Sequence, residues 1–94
     1  MAVRDVYRFP AIAEPPAFYG QLLKLRSEAY EVMKASAEGE GGERIAEELM
    51  DTIHAAETAL RMLEAEGVDL GEVRRMVIRK NAARGYYGKT EWFD

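Results

Sequence analysis

The sequence predicts an all-α fold, a helical hairpin followed by a third helix. Apolar residues recur three and four apart over most of the chain, the period of one face of a helix. Glycines fall where those runs stop, and no segment alternates apolar and polar residues as a half-buried strand does. The 94 residues, 48% hydrophobic and 32% charged, make one globular domain of ordinary composition. A chain of that length lies near the lower end of sizes that bury a good core alone.

Residues 1–14 are mixed in character and hold Pro10, which predicts an irregular or short extended arm. The helical domain spans 15–94, with its core at 16–85. Pro15-Pro16 suits a helix start, where the first amides have no partner inside the helix. The first helix then runs to about Ala37, with Phe18, Leu22, Leu25, Ala29, Val32 and Met33 as its apolar stripe. Gly39-Glu40-Gly41-Gly42 ends it and forms a flexible connection. The second helix spans about Glu43 to Glu66, with a stripe of Ile45, Leu49, Thr52, Ala56, Ala59, Leu60 and Leu63. Gly67 suits the left-handed position past its end. Asp69-Leu70-Gly71-Glu72 has capping-box spacing and opens a third helix that reaches about Arg84, with Val73, Met76 and Val77 inward. Gly85 stops it. The tail at 86–94 carries Tyr86, Tyr87, Trp92 and Phe93 and is expected to pack on the bundle. Two long helices and a shorter one form a unit that completes a four-helix-bundle-type fold by pairing with another copy.

Composition narrows the chemistry. A formal net charge of −4 argues against a broad basic surface for nucleic acid. The absence of cysteine excludes disulfides and thiolate metal sites, and a lone histidine excludes a polyhistidine zinc site within one chain. No apolar run approaches the roughly 18 residues of a membrane span. The start, Met1-Ala2-Val3-Arg4-Asp5, lacks a secretory apolar core, so the expected location is the cytoplasm, with no membrane partner.

Two acid pairs break the ordinary surface pattern. Glu28-Ala-Tyr-Glu31 and Glu48-Leu-Met-Asp51 each put two carboxylates on one side of a helix. Glu28 falls at the edge of the first stripe, and Glu48 lies inside the widened apolar arc of the second. Carboxylates seldom face a core unless they are paired or hold a metal; the bland alternative is a solvated acidic rim. Four converging carboxylates repel, and a hard divalent ion such as Mg²⁺ relieves that repulsion. The third helix repeats the anomaly with opposite sign. Lys80 falls mid-stripe, Asn81 lies on its edge, and Arg84 returns to the same side. They meet a phosphate or the acids in one reading; in the other, Lys80 snorkels and Arg84 tends the helix C-terminus. His54 points away from the stripe, toward Glu47, Thr58 and Arg61, which predicts a surface or interface position.

In these residues the chain resembles the MazG-like, all-α nucleoside triphosphate pyrophosphohydrolase superfamily. Glu28-Ala-Tyr-Glu31 and Glu48-Leu-Met-Asp51 match its Glu-x-x-Glu and Glu-x-x-Asp pairs. Lys80-Asn81-Ala82-Ala83-Arg84-Gly85-Tyr86 is similar to the Lys-Asn-x-x-Arg-Gly-Tyr of short phage-type and bacterial members. Ser27 departs from the acid frequent there, outside the core signature. The matching segments cover most of residues 21–88. The resemblance implies a helical homodimer or dimer of dimers that cleaves a nucleoside triphosphate to the monophosphate and pyrophosphate. Glu28, Glu31, Glu48 and Asp51 would then be catalytic and hold Mg²⁺, with Mn²⁺ as a substitute. Lys80 and Arg84 would contact phosphates, and Asn81 the sugar or the metal shell. A phosphoribosyl-ATP pyrophosphohydrolase is the related alternative. A non-catalytic helical oligomer acting as a partner-binding module is the alternative from another class.

Overall fold

The computed structural model describes residues 7–88. They contain three helices and no strand: α1 (Phe18–Ala37), α2 (Gly42–Ala65) and α3 (Leu70–Ala83). None of these helices is long and apolar enough to cross a membrane. Residues 7–14 form the irregular arm expected from the sequence. Trp92 and Phe93, the end of the aromatic tail, lie outside the described residues.

Local chemistry accounts for the helix ends. Helix α1 begins two residues after Pro16, with Ala17 as its N-cap. At the end of α2, Gly67 takes φ +104°. The N–H groups of Gly67 and Val68 bond back to the carbonyls of Glu64 and Leu63 at 2.9 and 3.1 Å, which satisfies two otherwise orphaned acceptors. Half of the expected capping box forms, since Asp69 Oδ1 accepts the Glu72 N–H at 3.1 Å. The Glu72 carboxylate turns instead to Arg75 and Arg79, and the Arg75 bond holds it below its usual range.

Helices α1 and α2 pack against each other along their lengths and form the hairpin. The seam differs from the expected stripes. On α1, Phe18, Gln21, Leu25, Glu28, Val32 and Ala35, spaced alternately three and four, are withdrawn from solvent, with Gly20 and Glu31 half-buried beside them. On α2, Ile45, Glu48, Thr52, Ala55, Ala59 and Met62 repeat that spacing, and residues 52–64 are all at least half-buried, because the arm covers a second side of the helix. This is the 3.5-residue period of two helices crossing at a shallow angle. The seam is therefore rotated from the predicted one. Gln21 is 1% exposed and Met33 71% exposed, the reverse of what hydrophobicity alone suggests. The small side chains of Ala35, Ala55 and Ala59 permit close approach, and polar Gln21, Glu28 and Glu48 occupy seam positions.

Helix α3 departs from expectation more strongly. Its inward set, Val73, Met76 and Val77, is exposed. Its first turn is anchored by buried Leu70, and Leu60 of α2 borders one apolar groove with Leu70, Val73, Val77 and Ile78. Farther along α3, Ile78, Asn81 and Ala82 are half-buried. Among the described residues the buried apolar ones are Ala35, Ala55, Ala59 and Leu70, few large side chains for a core.

Candidate metal centre

Three of the four predicted acids meet on the hairpin seam. Glu28 of α1 and Glu48 and Asp51 of α2 each offer a carboxylate oxygen, and the three oxygens lie within 4.8 Å of one another. The antiparallel hairpin brings them together, because Glu28 and Glu48 take seam positions that face across the pair. Glu48 is buried, Glu28 half-buried and Asp51 exposed, so the cluster opens to solvent at one side. Glu31 is half-buried one turn further along α1 and stands outside this triad.

Two cations accompany the acids, each one helical turn before its partner. Lys24 Nζ lies 3.2 Å from Glu28 Oε2. Arg44 Nη2 contacts Glu48 Oε2, while its other nitrogens reach Glu40 at 3.3 Å and Glu47 at 3.0 Å. The Glu47 hydrogen bond and the charge of Glu48 hold the Arg44 guanidinium above its ordinary value. A cation placed before its acid is the weaker order for stabilising a helix. These pairs are better read as charge balance for crowded carboxylates than as helix supports. Because Arg44 is shared with Glu40 and Glu47, the acids around the cluster outnumber its cations and leave it negative.

The donor set suits a hard divalent ion. Carboxylate oxygens are the ligands that Mg²⁺ prefers, at about 2.0–2.1 Å, so two oxygens on one ion lie at most about 4.2 Å apart. The observed 4.8 Å is within a rotamer adjustment of that limit.

Lys80, Asn81 and Arg84 occupy the last turn of α3 and its cap. Lys80 and Arg84 are exposed, and Asn81 is half-buried. The Arg84 guanidinium lies 5.9 Å from the Tyr86 ring centre. Within one chain α3 does not bring these residues into the acid cluster.

Hydrophobic periodicity missed a second constellation on α2. His54, Glu57, Arg61 and Glu64 form a row that grips the arm. Glu57, 5% exposed, accepts the backbone N–H groups of Arg8 and Phe9 at 2.8–2.9 Å. Arg61 donates to the Phe9 carbonyl at 2.6 Å, and its guanidinium lies 3.9 Å from the Tyr7 ring centre. The Tyr7 hydroxyl donates to Glu64 at 2.6 Å. The His54 ring stacks on Phe9 at 4.9 Å, with Nε2 3.3 Å from the Pro10 carbonyl. His54 is therefore half-buried under the arm rather than on open surface. The readable signal was the row of polar residues at three- and four-residue spacing on one side of α2.

The arm also borders a cavity of about 220 Å³ beside the acids, lined by Ile12, Gln21, Lys24, Glu28, Asp51, His54, Ala55 and Thr58. No protein-family profile, curated protein or solved structure matches this chain.

Proposed function

We propose that the chain is a divalent-metal-dependent nucleoside triphosphate pyrophosphohydrolase, working as a homo-oligomer in which hairpins pair into a four-helix bundle. The observation that carries this reading is the meeting of Glu28, Glu48 and Asp51 within 4.8 Å on a helix–helix seam. Glu48 is buried beside Glu28 and Asp51 with Arg44 as its cation, and a cluster of carboxylates at one seam is what a metal-binding enzyme needs. The resemblance in both acid pairs and in the Lys80-Asn81-x-x-Arg84-Gly85-Tyr86 ending points the same way.

In the proposed reaction a water oxygen bonds to the α-phosphorus and the bond to the bridging oxygen breaks. Pyrophosphate leaves, and the water proton passes to a carboxylate of the set. Bound Mg²⁺ supplies charge neutralisation at the phosphate oxygens. Glu28, Glu48 and Asp51 would hold the ion, with Glu31 one turn away as a further ligand. Lys80 and Arg84 neutralise phosphate charge and Asn81 donates hydrogen bonds, all delivered from α3 of a neighbouring subunit.

The test is pyrophosphate release from a panel of common and modified ribo- and deoxyribonucleoside triphosphates, with Mg²⁺ or Mn²⁺ and with chelator. Release should need the metal, and Glu48→Gln should reduce it by about a hundredfold or more, the scale seen on losing a main electrostatic group. Circular dichroism should show Glu48→Gln still helical. A folded wild-type chain that releases pyrophosphate from no nucleotide, or a Glu48→Gln variant with full activity, overturns the reading.

A further inference from the structure

We propose that residues 7–16 form a strap that opens by local release from α2 and gates one flank of the acid centre. This rests on the reading of Glu28, Glu48 and Asp51 as metal ligands.

Where the strap is held decides how it moves. Its polar contacts with α2 fall on Tyr7, Arg8, Phe9 and Pro10. Among the described residues, positions 11–16 make no hydrogen bond or ion pair, and all of them are exposed. The strap thus has one lock, and no bond ties the chain between that lock and the start of α1 to the helices. Segments with exposed backbone and few apolar contacts open at a free energy well below that of global unfolding. The lock residues His54, Glu57, Arg61 and Glu64 are not the seam positions of α2, so release leaves the α1–α2 packing in place. It also returns the Glu57 and Arg61 charges to water, so the open state strands no buried charge.

The strap meets the acids through Ile12. That residue lines the polar cavity of about 220 Å³ that Lys24, Glu28 and Asp51 also line. His54, about one turn from Asp51 on α2, stacks on Phe9 and borders the same cavity. Closed, the strap narrows this flank to bulk water, and an ion is held more strongly by its carboxylates where water is excluded. Open, the wall that Ile12 supplies is gone. Glu57 and Arg61 act on the ion only through the strap, so they are positioning residues.

The test uses the full chain and two readouts. The first is carbethoxylation of His54 by diethyl pyrocarbonate, which reports the chain's lone histidine. The wild type should react much more slowly than the chain in denaturant. Glu57→Gln and Arg61→Gln, each missing part of the lock, should react about tenfold faster than the wild type, the scale of losing one charge-assisted hydrogen bond. Circular dichroism should show both variants still helical at the temperature used. Tyr7→Phe loosens the lock from the strap side and serves if either variant fails to fold. The second readout is Mn²⁺ affinity by calorimetry. Glu57→Gln removes a negative charge and Arg61→Gln a positive one, yet both should weaken Mn²⁺ several-fold. If the two variants move the affinity in opposite directions, only long-range charge is acting and the gate fails while the acid centre stands. A wild-type His54 that reacts at the denatured rate, or variants that react faster only as helix is lost, overturns the local opening. If Mn²⁺ does not bind the folded wild type, the acid-centre reading fails and takes the gate with it.

Discussion

At the scale of single residues, the acid triad is balanced by cations that periodicity does not reveal. Arg44 bridges Glu40, Glu47 and Glu48. A divalent ion held by Glu48 would compete with Arg44 for that carboxylate. Replacing Arg44 with Gln should tighten Mn²⁺ binding several-fold in calorimetry and lower the melting temperature of the metal-free chain, because Glu48 then stays buried without a partner. Unchanged affinity would mean that Glu48 is not a ligand. The acids and their spacing were legible in the sequence, as was the inward placement of Glu48. The burial of Gln21 was not, because an amide at a seam position reads as surface until a carbonyl such as that of Ala55 is known to meet it.

At the scale of elements, the arm is held by polar contacts rather than by an apolar face, so hydropathy could not place it. Tyr7 reports on that attachment. Withdrawal of its phenol from water, then its hydrogen bond to Glu64, push its pKa up from 10.0 to about 12. A group whose folded-state pKa is raised binds its proton more tightly in the native chain. Its contribution is thus fully present below pH 10 and is lost as pH rises toward 12. Tyrosinate absorbance should show one late-titrating phenol that disappears in Tyr7→Phe, with amide exchange at Arg8 and Phe9 speeding up over the same pH interval. A wild-type titration with no late component would place the arm off α2. Helix ends were the most legible part of the elements. Gly67 and the Asp69–Glu72 pair behave as their local chemistry requires, since capping depends on a few neighbouring residues.

At the scale of the whole molecule, the striped helices have more apolar surface than one chain covers. The radius of gyration is 15.5 Å, against about 12 Å for a compact domain of this length. Tyr19, Met33, Leu49, Met50 and Met76 are all roughly half exposed or more. Exposed large apolar residues in that number are what an assembly surface would use. Sedimentation should find the chain as a dimer or larger, with a melting temperature that rises with protein concentration. A Met33→Glu, Leu49→Glu double variant should shift it toward monomer and lower its stability. A wild-type monomer at all concentrations would remove the four-helix-bundle proposal.

Residue order alone settled the three helices, their stops and the acid pairs, because helical period, glycine conformation and capping act over a turn or two of chain. Tertiary structure decided which side of each helix faces its partner. Alanine carries little hydropathy signal and Gln21 reads as surface, so the seam could rotate toward close packing and bring Glu28 inward with Glu48. It decided the arm's path too, because Glu57 and Arg61 act across some fifty positions of sequence. It also left α3 only partly covered beyond Leu70, with Val73, Met76 and Val77 exposed.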